Sequence, residues 1–151
     1  MNSSDFLKKY KVVYVPNDDH CMFQSIAYLV KSHTQEALTQ EALRQKIGNK
    51  LAENASDMII DTYLQHKNMT LQEYKEQIVE SMRGDSIALH CLAHALETKI
   101  TTLNPFTMEE TSYPQEIKEI PPPVFEDTIR LLAYAYGNTL RVLPVLPLQD
   151  N

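Results

Sequence analysis

The spacing of apolar positions changes along the chain, and each change marks an element. Residues 3–9 are predicted as a short helix, and Lys11–Val15 (KVVYV) is β-branched and reads as a strand. Pro16 and Asn17 end it, and Asp18-Asp19-His20-Cys21 reads as a polar turn. From Met22 to about Lys31 the period becomes helical, with Met22, Ile26 and Leu29/Val30 three and four apart. Cys21 therefore falls at a strand–turn–helix junction. Leu38, Ala42/Leu43, Ile47 and Leu51 predict a second helix over 36–53. The pentapeptide TQEAL occurs at 34–38 and again at 39–43, a period too short for a solenoid. Residues 54–66 read as helix. Thr70 and Glu73 form a capping box ahead of Leu71, Tyr74, Ile78 and Met82, and Gly84 is expected to end that helix as a C-terminal cap. Asp85 or Ser86 caps a further helix running to Glu97.

Beyond that point strands return. Lys99–Leu103 and Thr128–Tyr134 (TIRLLAY) read as strands, separated by a proline-punctuated connection over 104–127 expected to be irregular. Tyr136-Gly137-Asn138 signals a turn, and Leu140–Val145 (LRVLPV) is a last strand, placed at an edge by Pro144. No boundary interrupts the chain, so residues 1–151 are expected to form one α+β domain. Strands at both ends of a helical middle imply a small central sheet built from distant pieces and flanked by helices.

Composition narrows the functional classes. The 151 residues are 43% apolar, a globular proportion. Twenty acidic against 14 basic side chains, a net charge of −6, argue against a nucleic-acid partner, which needs clustered Lys and Arg. No apolar run reaches the ~18–20 residues of a membrane span. The three glycines, Gly48, Gly84 and Gly137, lie too far apart for a phosphate-cradling loop. Two cysteines make no disulfide framework, and MNSSDFLKKY lacks the basic-then-apolar order of a secretory signal. A reducing cytoplasmic setting is expected, or the host cytosol for a pathogen protein.

In such a setting Cys21 is either a small buried residue or a nucleophile. A cysteine at a helix N-terminus faces free N–H groups and the positive end of the dipole, which suit a thiolate. The turn before it can present backbone N–H groups to an oxyanion. Asp18 and Asp19 oppose a further negative charge, so a nucleophilic Cys21 calls for a cationic partner. His90, His94 and Glu97 share helical spacing compatible with zinc, but the inner glutamate of HExxH is missing. They are read as a polar face opposite Leu89, Leu92/Ala93 and Leu96, with no metal and no cofactor assigned. Cys91 is read as a small buried residue of the same helix, and Tyr134 and Tyr136 as strand residues.

The stretch VPNDDHCMFQSIAY resembles the nucleophile motif of the ovarian-tumour (OTU) family of cysteine proteases, most of which are deubiquitinases. Asp18, Asp19, His20, Cys21, Met22 and Phe23 stand on that motif, with Asp19 where the family usually has glycine. The similarity continues through Leu43-Arg44, Glu73-Tyr74 and Arg83-Gly84-Asp85, with Arg83 in place of the usual tryptophan, to the strand Lys99–Leu103. Gly137-Asn138-Thr139-Leu140 matches the closing motif, with Thr139 on the catalytic histidine and Leu140 on the aromatic. The resemblance implies a papain-type α+β fold and a thiol hydrolase cutting after the C-terminal glycine of ubiquitin. It implies Cys21 as nucleophile, Asp18 beside it, Asp19 and His20 in the oxyanion loop, and ubiquitin or a polyubiquitinated protein as partner. Threonine does no acid–base work near neutral pH. His20 is then a candidate base, and the alternative is a pseudoenzyme that keeps the fold and binds ubiquitin or another protein.

Overall fold

The computed structural model describes residues 3–53, 58–80, 82–115, 125 and 127–148. Helix α1 (Ser3–Lys9) leads directly into strand β1 (Tyr10–Val12), and four helices follow the turn before Cys21: α2 (Cys21–Thr34), α3 (Gln40–Glu53), α4 (Met58–Lys67) and α5 (Leu71–Glu80). Then come α6 (Ser86–Leu96), β2 (Lys99–Leu103), β3 (Glu110–Tyr113), β4 (Thr128–Tyr136) and β5 (Thr139–Pro147). The strands form one mixed sheet in the order β1-β5-β4-β2-β3. β4 runs parallel to β2 and antiparallel to β5, while β1 pairs antiparallel with β5 through Tyr10–Pro147 and Val12–Val145. The expectation of a sheet assembled from both ends is met.

Alternation along the strands separates two apolar layers. Ile129 and Leu131 of β4 and Val142 of β5 face the large core formed with Phe23, Ile26 and Leu29 of α2, Leu43 and Ile47 of α3, and Ile87 and Leu92 of α6. Leu132 and Val145 face the other side, where they pack with Phe6 of α1 and Leu103. At burial of roughly 1.5–3 kcal/mol per large side chain, the first layer dominates the cohesion.

Several boundaries depart from the sequence expectation, each for a local reason. α2 ends where Gln35 adopts φ 65° and its N–H returns to the Lys31 carbonyl. α3 starts only after Thr39, whose hydroxyl accepts the Ala42 N–H at 3.1 Å. The two TQEAL copies thus straddle a connection, one Thr at a helix end and the other at a helix start. The capping box of α5 is present, with Thr70 Oγ1 accepting the Glu73 N–H at 3.1 Å. Gly84, however, does not cap α5, which stops at Glu80. The carbonyls of Ile78 and Met82 are satisfied instead by Arg44 Nη1, at 2.7 Å each. β3 was not foreseen, because ETSY is exposed at its first three positions and carries no apolar alternation. β5 is not an edge strand. Pro144 pairs with Leu131, and its carbonyl accepts the Val13 N–H at 2.9 Å. Its missing N–H therefore faces the side where the three-residue β1 ladder is running out, so little pairing is lost.

Candidate functional site

Cys21 is the first residue of α2, 1% exposed. The turn in front of it is built by Asp18, whose Oδ1 accepts the His20 N–H at 2.8 Å and whose carbonyl accepts the Cys21 N–H at 3.3 Å. Asp18 is thus a turn residue in an Asx-type bond, not a side-chain cap on α2. Among the described residues the Asp19 N–H is given to no acceptor, whereas the His20 N–H is taken up by Asp18.

Arg44 of α3 fixes the same turn from beneath. Its guanidinium donates to the Asp19 carbonyl at 3.2 Å and to His20 Nδ1 at 2.9 Å, and lies 4.1 Å from the centre of the Phe23 ring. Since arginine only donates, His20 Nδ1 is the acceptor in this pair. His20 is thereby turned toward Arg44 and does not hydrogen-bond the Cys21 sulfur. Burial pushes the Arg44 guanidinium below its usual range, while Asp19 and Glu41 act the other way.

Among the described residues the sulfur has two hydrogen-bonding partners, the Leu140 carbonyl at 3.9 Å and Arg83 Nη2 at 3.7 Å. Arg83 is held by four contacts at once. Nε donates to the Leu140 carbonyl at 3.1 Å, Nη2 to Asn17 Oδ1 at 2.6 Å, and Nη1 meets Asp19 Oδ1 at 3.3 Å. Gly84 makes this position reachable. A Cβ there would lie 2.3 Å from Met22 Sδ and 3.1 Å from Met22 Cβ, so the chain at 84 lies directly on the first turn of α2. Asp85 then starts α6. Its Oδ1 accepts the Ala88 N–H at 3.0 Å and the Tyr74 hydroxyl at 2.6 Å, and its Oδ2 pairs with Lys67 at 2.9 Å. Sequence reasoning noted Arg83 only as a substitution. The usable signal was a basic residue beside a glycine, immediately before a helix cap, in a chain whose cysteine turn needed a cation.

Thr139 does not reach the sulfur. It is exposed, and its hydroxyl donates to the Tyr136 carbonyl at 2.9 Å across the hairpin in which Gly137 takes φ 63°. Leu140 packs on the core that contains Cys21, so alternation puts the Thr139 side chain on the opposite sheet face. The other histidines lie elsewhere. His33 is in the last turn of α2, 12 positions and roughly 18 Å along the axis from Cys21. His66 is exposed at the end of α4. His90 is 2% exposed and its Nδ1 accepts the Gln115 N–H at 3.2 Å, with the His94 ring 4.9 Å away. The reading of His90 as part of a polar face is corrected, because α6 is buried continuously from Ile87 to Ala93 and His90 belongs to its interior. Among the described residues no cluster of three metal-ligating side chains exists. No described helix is long and apolar enough to cross a membrane.

The fold recurs in known proteins. A family model of OTU-like cysteine proteases matches residues 16–139. The Hazara virus OTU solved bound to ubiquitin superposes with TM-score 0.68 at 15% identity, covering 99% of this chain and 87% of that one. An OTU deubiquitinase from Wolbachia pipientis wMel gives 0.67 at 18% identity, covering 95% and 91%. The viral OTU protease of Dera Ghazi Khan virus gives 0.66 at 16%, covering 99% and 86%. At these identities the superpositions speak for the fold. No curated protein matches by sequence. With the cysteine turn, the capped helices and β4 all inside the matched span, the chain belongs to the family of OTU-like cysteine proteases.

Proposed function

We propose that the chain is a ubiquitin-directed thiol hydrolase with Cys21 as nucleophile. The observation that carries this reading is the position of Cys21 at the first residue of α2, behind the Asp18–His20 turn, within an OTU fold. Relatives solved with ubiquitin support ubiquitin as the partner. In this reading Asp18 shapes the turn and the Asp19 N–H is the donor turned to the oxyanion. A second reading is favoured by Thr139, which stands on the histidine position and spends its hydroxyl on Tyr136. There the chain binds ubiquitin, or another protein, and turns over little.

Ubiquitin carrying a C-terminal electrophile separates the two. The hydrolase reading expects a covalent adduct that is lost in Cys21→Ala. A folded protein that forms no adduct, yet binds ubiquitin in a titration, supports the second reading.

A further inference from the structure

Resting on Cys21 as the nucleophile, we infer that Arg83 is a catalytic residue that does half of an imidazole's work. It holds charge at the sulfur and moves no proton. The site then takes acyl groups from thioesters of a ubiquitin C-terminus in preference to isopeptides.

The charge-holding half follows from geometry. Arg83 Nη2 is an N–H donor 3.7 Å from Sγ, so it touches the reacting atom. A guanidinium stays charged at any working pH. Its other nitrogen pairs with Asp19 at 3.3 Å, which offsets the carboxylate that opposed a nucleophilic Cys21. Anchoring to Asn17 and the Leu140 carbonyl, at 2.6 and 3.1 Å, spans the nucleophile turn and β5, so the charge is held in place before any substrate arrives.

The missing half follows from where all five histidines lie. His20 is bound to Arg44, His90 to Gln115 beside the His94 ring, His33 lies at the far end of α2, and His66 ends α4. Arginine does not give up its proton. An alkylamine leaves a tetrahedral intermediate only when protonated, whereas a thiolate leaves unaided because thiols ionise near pH ~8.5. The steps balance without a general acid. The Cys21 thiolate adds to the thioester carbonyl, and the C–S bond to the departing thiolate breaks with its electron pair. Water then adds to the new acyl-Cys21, and the C–S bond to Cys21 breaks. The products are carboxylate, the regenerated Cys21 thiolate and two protons released to solvent. With no base to activate that water, deacylation is the slow step.

The test compares a ubiquitin C-terminal thioester of a small thiol with isopeptide-linked diubiquitin, on the wild-type chain, Arg83→Ala, Arg83→Lys and Cys21→Ala. Circular dichroism confirms folding of each. The wild type is expected to release about one equivalent of thiol in a burst, followed by slow turnover, and to leave diubiquitin uncut. Arg83→Ala is expected to slow the burst about 10²-fold, as loss of one preorganised donor does, and Arg83→Lys to recover part of it. Diubiquitin cleaved as readily as the thioester overturns the leaving-group preference. A burst unchanged or faster in Arg83→Ala overturns the charge role and makes Arg83 a cover over the sulfur. Iodoacetamide gives a readout independent of ubiquitin. Alkylation of Cys21 that depends on Arg83, with no reaction toward either ubiquitin substrate, upholds the charge role and overturns the ubiquitin reading.

Discussion

Arg44 shows how much one buried side chain can organise. It is 1% exposed, yet its donors reach Gln40, the carbonyls of Ile78, Met82 and Asp19, and His20 Nδ1. Replacing it with alanine strands several buried acceptors and opens space against Phe23. The expected cost of Arg44→Ala is ~3–5 kcal/mol, on the scale of breaking a buried charged network, read as a lower urea midpoint. Arg44→Lys should fall between, since an ammonium keeps the charge and loses the planar fork. None of this was legible from position 44 alone. Its partners are mostly carbonyl oxygens far along the chain, and backbone acceptors leave no mark in a sequence. Cys21 was legible, because a helix start after a polar turn is a local pattern. Arg83 was not, because its role depends on three segments meeting.

At the level of elements, the helices followed from apolar spacing and from two caps, Thr70 and Asp85, both of which bond as the sequence suggested. What failed was the polar or the interrupted. β3 is too hydrophilic to announce itself, and Gly84 was misread because glycine serves close packing as often as helix termination. Its real duty is to let the 82–85 segment lie on α2. Gly84→Ala should therefore destabilise by ~1–3 kcal/mol, the range for overpacking, and slow any adduct formation at Cys21 by shifting Arg83. The same substitution in a Met22→Ala background should cost less. Thermal unfolding of the four proteins of that cycle checks the coupling.

For the whole molecule, the helix-and-sheet layering was readable, since a helical middle between strands leaves few arrangements. The order β1-β5-β4-β2-β3 was not, because pairing across the chain depends on which faces the helices cover. One global property follows from the tyrosines where α4, α5, α6 and β3 meet. Burial raises the hydroxyls of Tyr63, Tyr74 and Tyr113, most of all Tyr74, where the Asp85 carboxylate adds to the effect. In the unfolded chain these groups ionise near pH ~10. Below that both states are protonated and stability is intact. Above it the unfolded state sheds protons that the folded state retains, so stability falls as pH rises. Urea midpoints should hold from neutral pH to about pH 9.5 and then drop. Tyr74→Phe should lower the plateau and flatten the alkaline fall.

The sheet is completed by its two ends, and this sets a timetable for synthesis. The sulfur of Cys21 and the Leu140 carbonyl it faces are 119 residues apart in sequence. At ~5–20 residues per second, a ribosome makes the second roughly 6–24 s after the first. Throughout that interval the nascent chain carries the thiol without the strand that closes over it. Oxidants and chaperones in the cell therefore meet this cysteine in a form that the finished protein no longer presents.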